Sequence, residues 1–148
     1  MSGAARVFID TNVLVYQISG SPASKQAVAT KWVDALWAAR AGRVSWQVIH
    51  EFYSSAVQKL RIPAVKVRVA AEDLAEMGIE PVRMETLQRS WYWCDHAQLN
   101  YWDALILATA EQAGCNWLLS EDFQAGRRYG TVTIVNPFER EPAEFGLS

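Results

Sequence analysis

The chain has 148 residues, of which 51% are hydrophobic and 20% are charged. This composition is typical of one folded domain with a substantial core, and it excludes a disordered chain. The formal net charge of −2 excludes a global basic field that would hold nucleic acid non-specifically. Any contact with nucleic acid must therefore come from a local patch or through a metal ion.

The cysteine content and the absence of long apolar runs limit the cellular compartments in which we expect the chain. Cys94 and Cys115 form no C-x-x-C pair, and we expect two reduced thiols that pack as small hydrophobes. Residues 1–6 contain no apolar segment after a basic start, and no apolar run approaches the roughly 18 residues of a membrane span. We therefore expect a cytoplasmic protein with no membrane contact.

The first half of the chain alternates short apolar runs with helical periodicity. A run at residues 6–9 predicts a buried strand that stops at Asp10. The pattern then predicts a helix with Ser21 as N-cap, Pro22 as N1 and Gly42 as C′ residue, an extended piece at 44–46, and helices over 47–60 and 63–77.

The second half continues this alternation. Predicted elements are a strand at 81–84, helices over 86–97 and 101–113, and strands at 117–119 and 131–135. Asn100 is the expected N-cap of the helix that Gly114 stops. Strands that alternate with helices predict an α/β fold with a short parallel sheet flanked by helices on both faces. The core is expected over residues 6–136, and residues 137–148 form an expected surface tail.

Four acids fall where strands end or helices begin. Asp10 ends the first strand, Asp122 follows the strand at 117–119, Glu51 lies in the first turns of its helix, and Asp103 is at N3 after Asn100. Because strand ends and helix starts share one edge of a parallel sheet, these four carboxylates are candidates for one cleft.

Converging carboxylates without a counter-charge repel one another, and a divalent cation removes that repulsion. Oxygen ligands are those that Mg²⁺ or Mn²⁺ prefers, and such an ion can activate water for phosphodiester hydrolysis. Each acid also has a purely structural interpretation: Asp103 favours the helix dipole, Glu51 is a solvated helix residue and Asp122 forms a turn. Asp10 fits a structural role least, because a half-buried carboxylate is costly without a partner.

Four acid-bearing segments of the chain resemble those of a known family. Residues 7–14 (VFIDTNVL), 50–52 (HEF) and 101–108 (YWDALILA) are similar to the first three acid-bearing motifs of PIN domains, in the same order. Residues 118–123 (LLSEDF), with VNPF at 135–138, are similar to the final strand-acid-strand segment of the VapC toxin branch. The resemblance spans nearly the whole chain and implies a single PIN domain over residues 1–148.

The resemblance also implies a function. It implies a Mg²⁺- or Mn²⁺-dependent endoribonuclease, typically a homodimer, whose acidic groove is blocked by the tail of a cognate antitoxin protein. Carried over by position, the metal-binding acids are Asp10, Glu51, Asp103 and Asp122, and the residues that support them are Asn12 and Ser120. Some members carry a fifth acid where this chain has Gln124, and Glu121 is a candidate substitute.

Other functions start from the same first acid. A phosphatase of the haloacid-dehalogenase type needs a second acid where Asn12 stands, and a phospho-acceptor receiver domain expects a lysine where Ser120 stands. A non-enzymatic alternative is a degenerate PIN module that binds RNA or a protein without cutting. His50 adjoins Glu51 but projects about 100° away on a helix, so we do not assign it to the site.

The seven tryptophans invite a further interpretation. The densest aromatic runs are residues 91–93 and 101–102, which could form a stacking platform for unpaired RNA bases. Core packing together with a dimer or antitoxin surface is the favoured interpretation, since aromatic residues are enriched at interfaces.

Overall fold

The computed structural model describes residues 5–147. Residues 1–4, which belong to the segment 1–6 in which we expected no leader sequence, lie outside the described residues. Ser148, the last residue of the expected tail, also lies outside them. The strands are β1 Val7–Ile9, β2 Gly42–Ser45, β3 Ile79–Glu80, β4 Trp117–Leu119, β5 Arg128–Tyr129 and β6 Val132–Val135. The helices are α1 Thr11–Ser19, α2 Ala23–Ala39, α3 Trp46–Ser54, α4 Ala64–Met77, α5 Met84–Ala97 and α6 Tyr101–Gln112.

The six strands form one sheet in the order β3-β2-β1-β4-β6-β5. All neighbours are parallel except β5 and β6, which pair antiparallel. Val7, Phe8 and Ile9 are each at most 1% exposed. Because successive strand side chains point to opposite faces, both faces of the sheet are covered at β1. The α/β class is confirmed, with the antiparallel β5 edge as an addition to the expected parallel sheet.

Helix α1 was not predicted, because the apolar run at residues 13–15 has the composition of a strand. The side chain of Asp10 accepts a hydrogen bond from the Thr11 N–H and caps the helix. Val13 and Leu14 are buried by it. The chain therefore turns from the buried strand directly into a helix, and the cap is the candidate site residue itself.

The start and end of α2 differ from the prediction. Pro22 is the N-cap residue rather than N1, and Arg40 is the left-handed residue that ends the helix, with φ of 54°. Gly42 opens β2, and a Cβ at this position would collide with the Met77 side chain. The glycine thus allows β2 to pack closely against the Met77 side chain of α4, and a larger residue would require that flexible side chain to move.

The predicted strand at 81–84 is wrong. The paired residues are Ile79 and Glu80, and Pro81, which has no N–H to donate to a ladder, follows them. Arg83 is the N-cap residue of α5, and its N–H donates to the Thr86 hydroxyl at 3.0 Å. Local capping at the helix start therefore outweighs the apolar composition of the segment.

Helix α3 continues into a wider turn, the π-turn Ser55–Lys59. The Leu60 N–H donates to the Ser55 carbonyl at 3.0 Å, a five-residue step. The predicted helix over 47–60 is therefore two helical forms in series. Such π segments often lie at functional sites.

The C-terminal segment, for which we expected a surface tail, is anchored to the core. The indole N–H of Trp32 on α2 donates to the carbonyls of Pro137 at 3.1 Å and Arg140 at 3.2 Å. A short 3₁₀ helix, Pro142–Phe145, follows, and Leu147 is only 4% exposed. Residues 137–147 thus complete the packing around Trp32.

The structure also describes the two cysteines and the lengths of the apolar helices. Cys94 and Cys115 are both free thiols, with Cys115 buried, as expected. Across residues 5–147, no helix is both long enough and apolar enough to cross a bilayer.

Replacement of Phe145 tests the anchoring of the C-terminal segment. Its ring centroid lies 5.7 Å from that of Trp32 and 5.0 Å from that of Trp117. We expect Phe145→Ala to lower the free energy of unfolding by about 2 kcal/mol, since two aromatic contacts are lost from a half-buried site. Urea denaturation measures this change, with the exposed Glu139→Ala as the control from the same segment. Equal stability of the two variants would mean that the Phe145 contacts do not anchor the segment.

Candidate functional site

Asp10 lies between the end of β1 and the start of α1. Its side chain is 7% exposed, and both carboxylate oxygens are held. One accepts a hydrogen bond from the Thr11 N–H at 2.8 Å, and the other accepts one from the Ser120 hydroxyl at 2.7 Å. The carboxylate is therefore fixed in orientation by groups from two different segments of the chain.

Asn12 connects the end of β1 to the loop that follows β4. Its side-chain N–H group donates to Asp10 at 3.2 Å, to the Ser120 hydroxyl at 3.1 Å and to Asp122 at 3.1 Å. Its side-chain oxygen accepts from the Glu121 N–H at 3.3 Å. The Ser120 hydroxyl in turn accepts from the Asp122 N–H at 3.1 Å. Asn12 and Ser120 therefore hold Asp10 and Asp122 side by side.

Glu51 reaches this edge of the sheet from α3. One of its carboxylate oxygens accepts from the Thr11 hydroxyl at 2.9 Å, and the other accepts from the Gln47 side-chain amide at 3.4 Å. The Gln47 amide also donates to the Trp102 carbonyl at 3.2 Å, which joins α3 to the start of α6. The orientation of Glu51 is thus set by α1 and by its own helix.

Asp103 is at N3 of α6, as predicted, and Asn100 caps the helix. The Asp103 N–H donates to the Asn100 side-chain oxygen at 3.0 Å. The Asn100 amide donates back to the Asp103 carboxylate at 2.8 Å. The capping interaction therefore also orients the carboxylate, so the structural and functional interpretations of Asp103 are compatible.

All four acids line one cleft of about 770 Å³. Within residues 5–147, however, no three carboxylate, histidine or cysteine side chains lie close enough together to hold a metal ion. Asn12 brings Asp10 and Asp122 together, whereas Glu51 and Asp103 are turned toward Thr11 and Asn100. The fold thus assembles the predicted acids at one edge, and their side chains point to separate hydrogen-bond partners.

The electrostatics of the cleft show that its acids influence one another. The pKa of Asp10 is raised to about 6, mainly by burial and to a smaller extent by the charges of Asp122 and Asp103, against the opposing hydrogen bonds from Ser120 and Thr11. Burial also raises the pKa of Asp103, and the charge of Asp122 adds to this increase. These carboxylates give the cleft a negative electrostatic potential, and a bound cation would lower the repulsion between them.

The residues present fit a divalent cation in three respects. The donors are carboxylate oxygens, which hard cations prefer. In the part of the chain that the structure describes, none of the four acids forms an ion pair. The side-chain oxygen of Gln47, which lines the same cleft, is buried and has no hydrogen-bond partner among the described groups. A water molecule bound to a cation could supply the missing donor.

Glu121 also lines the cleft, but its charge is already compensated. Lys25 donates to one carboxylate oxygen at 2.7 Å, and the Tyr16 hydroxyl donates to the other. Although partial burial acts to raise the pKa of Glu121, these hydrogen bonds outweigh it, and the pKa lies below its ordinary value. Glu121 therefore differs from its neighbour Asp122, whose contacts are to uncharged groups.

Several polar residues that the sequence did not single out also line the cleft, among them Thr11, Gln47 and Lys59. Gln47 could have been found, since it precedes Glu51 by four residues and so lies on the same helix face. His50, which we did not assign to the site, also lines the cleft, although it projects about 100° away from Glu51 on the helix. More than one face of α3 therefore borders the cleft.

The aromatic runs divide into buried and exposed members. Trp93 is 8% exposed and donates its indole N–H to Glu111 at 2.6 Å, so it belongs to the core. Trp91 and Trp102 are 50% and 59% exposed. Neither is among the residues that line the acidic cleft.

A model of the PIN-domain family matches residues 7–130 of the chain. The chain belongs to the PIN-domain family. The resemblance of the four acid-bearing segments is thereby confirmed at the level of the family. The PIN match begins at the first residue of β1 and extends past the Asn12–Ser120 network, so it includes every acid of the cleft.

Two solved structures share the PIN fold with this chain. A toxin–antitoxin complex from Klebsiella pneumoniae contains a chain 22% identical in sequence, with a TM-score of 0.62 over 88% of this chain and 97% of that one. Mycobacterium tuberculosis VapC20, described as a sarcin-ricin loop cleaving toxin, is 18% identical, with a TM-score of 0.58 over 76% of this chain and 86% of its own. At these identities the likeness is one of fold. No curated protein matches the sequence significantly.

The pKa of Asp10 predicts how the stability of the metal-free PIN domain depends on pH. Between its ordinary value of 3.8 and about 6, the folded state binds the proton and the unfolded state does not. The free energy of unfolding therefore falls as the pH rises through this window, by about 3 kcal/mol for this group. We expect Asp10→Asn to remove this loss and to raise the stability of the EDTA-treated protein at pH 7.5.

Denaturant unfolding at pH 4.5 and pH 7.5 measures this effect. Asp95→Asn, which removes an exposed carboxylate from α5, is the matched control and is expected to change stability little. If Asp10→Asn were no more stable than the native protein at pH 7.5, the burial cost assigned to Asp10 would be wrong.

Proposed function

We propose that this PIN domain is a metal-dependent endoribonuclease and the toxin component of a toxin–antitoxin pair. The observation that carries the proposal is the Asn12–Ser120 network, which holds Asp10 beside Asp122 in a cleft that Glu51 and Asp103 also line. The fold of the chain in the Klebsiella complex and of the RNA-cleaving VapC20 supports the same proposal.

Asp10, Glu51, Asp103 and Asp122 would hold the ion, which we propose to be Mg²⁺ or Mn²⁺. When bound, such an ion polarises a phosphoryl oxygen and lowers the pKa of a bound water. Glu51 and Asp103 reach into the same cleft from α3 and α6.

The chain's own uncharged groups have a separate part in this proposal. The Ser120 hydroxyl and the Asn12 amide donate to the Asp10 carboxylate, and the Thr11 hydroxyl donates to Glu51. These donors keep the carboxylates oriented while leaving their negative charge uncompensated. They therefore prepare the acids for a cation without competing as an ammonium or guanidinium group would.

The proposal includes two protein partners. A cognate antitoxin is proposed to place its tail in the acidic cleft, where it would exclude RNA. A second copy of the chain is proposed to form a homodimer, as is typical of VapC toxins. The substrate class is RNA, cut at a phosphodiester bond.

A degenerate PIN module that binds RNA or a protein without cutting is the second candidate. It is favoured by the absence, within residues 5–147, of three acidic side chains close enough to hold an ion. The two candidates differ in their response to chelation. Cleavage requires the ion, whereas binding by a module without a metal would be unaffected by EDTA.

Incubation of partner-free protein with a total RNA pool tests the proposed function. With Mg²⁺ or Mn²⁺ present we expect discrete fragments, and with EDTA or with Asp10→Asn we expect none, because the ion and its most buried ligand are removed. Asp95→Asn is the control with the same change of charge outside the cleft. An unchanged cleavage pattern for Asp10→Asn, or no cleavage by a folded preparation, would contradict the proposed nuclease.

The Ser120 hydroxyl offers a finer test, because it supports Asp10 and Asp122 without being a proposed ligand. We expect Ser120→Ala to reduce cleavage or metal affinity by about 10- to 100-fold, as is common for groups that orient metal ligands. Calorimetric titration with Mn²⁺ measures the affinity directly and independently of cleavage. Unaltered Mn²⁺ affinity and unaltered cleavage would show that Ser120 does not orient the acids.

A further inference from the structure

One face of α3 and of the π-turn after it forms a continuous wall of the cleft. Gln47, Glu51, Ser55 and Lys59 recur at four-residue spacing, and all of them line the cleft. Ser54 lies on the same wall. This wall therefore runs from the carboxylate of Glu51 past two hydroxyls to an ammonium group.

Lys59 is the cationic end of this wall. Of the described residues that line the cleft, it alone is a lysine or arginine. It is exposed, and within residues 5–147 it forms no ion pair, whereas Lys25 and Lys31 are paired with Glu121 and Glu141. Its charge is thus free to meet an anionic ligand that enters the cleft.

The separation of Lys59 from the acids suits a neighbouring phosphate rather than the one that is cut. Lys59 follows Glu51 by eight residues, a distance that would be about 12 Å along an α-helix and is somewhat shorter across the wider π-turn. An RNA strand whose scissile phosphate lies at the acids would carry its next phosphates along this wall. Those phosphates face a chain with a net charge of −2, so a local cation is needed to hold them.

We propose that Lys59, with the hydroxyl of Ser55, forms a binding subsite for a backbone phosphate of RNA adjacent to the cleavage point. The proposal rests on the function proposed above. Lysine binds phosphate as a point charge, and hydroxyl groups donate to phosphate oxygens without reading the base. The subsite therefore sets the path of the strand through the cleft and contributes affinity that does not depend on sequence.

Binding of a fluorescein-labelled single-stranded RNA to the Asp10→Asn protein tests the subsite without cleavage. Fluorescence anisotropy is measured at several salt concentrations, with and without an added Lys59→Gln substitution. We expect Lys59→Gln to weaken binding about tenfold, as for loss of one charge-assisted hydrogen bond. The slope of log K against log salt should fall by about 0.7, the value for one phosphate contact on a single strand.

Two further variants separate a local contact from a change of net charge. Lys31→Gln removes the same charge from α2, where Lys31 lines a different cavity, and is expected to leave both affinity and salt slope unchanged. Lys59→Arg retains a cation and should restore most of the binding. Equal effects of Lys59→Gln and Lys31→Gln, or no effect of Lys59→Gln, would overturn the subsite.

Failure of the subsite can be distinguished from failure of the nuclease. Cleavage by the native protein together with an unaltered RNA affinity and salt slope in Lys59→Gln would overturn the subsite and leave the proposed function standing. Absence of cleavage together with the expected loss of affinity would support the subsite while contradicting the nuclease. No measurable binding of RNA to the Asp10→Asn protein would overturn the subsite itself.

Discussion

The burial of the Asp10 carboxylate at the end of the central strand is the constraint on which the rest of the site depends. A carboxylate in this position loses its hydration, and the surrounding fold replaces it with uncharged donors from Thr11, Asn12 and Ser120. Those donors come from the first turn of α1 and from the loop after β4. The need to satisfy one buried acid therefore joins two segments that are distant in sequence, and the cleft forms where they meet.

The same arrangement explains why the site can combine stability with a high local charge. Asp103 and Glu51 take part in ordinary structural interactions, a helix cap and a hydroxyl hydrogen bond. Each interaction has a neutral donor, so no opposite charge compensates the carboxylate that it holds. Glu121 contrasts with them, since Lys25 compensates its charge. The candidate ligands therefore have neutral hydrogen-bond partners, whereas Glu121, which is not a candidate of this kind, has a cationic partner.

Sequence reasoning succeeded where the determinant is local. The apolar run before Asp10 and the Asn100–Asp103 cap could be read from adjacent residues, and both lie where the sequence predicts. It failed where the determinant is distant, since the glycine at position 42 packs against Met77 of a later helix. It also missed α1, although the residue that caps this helix, Asp10, is adjacent to it in sequence. The directions of the Glu51 and Asp103 side chains likewise depend on rotamers and partners that spacing does not specify.

The π-turn after α3 has a consequence for how such a cleft can vary. A five-residue hydrogen-bonding step changes the rotation between residues before and after it, because each residue in a wider turn advances less around the axis than in an α-helix. The Ser55–Lys59 segment thus sets the direction in which Lys59 points from the helix relative to Glu51. Insertion or loss of a single residue here would redirect the far end of the wall while the sheet and its buried strands stayed in register. The far end of the wall can therefore change while the acids at the edge of the sheet stay in place.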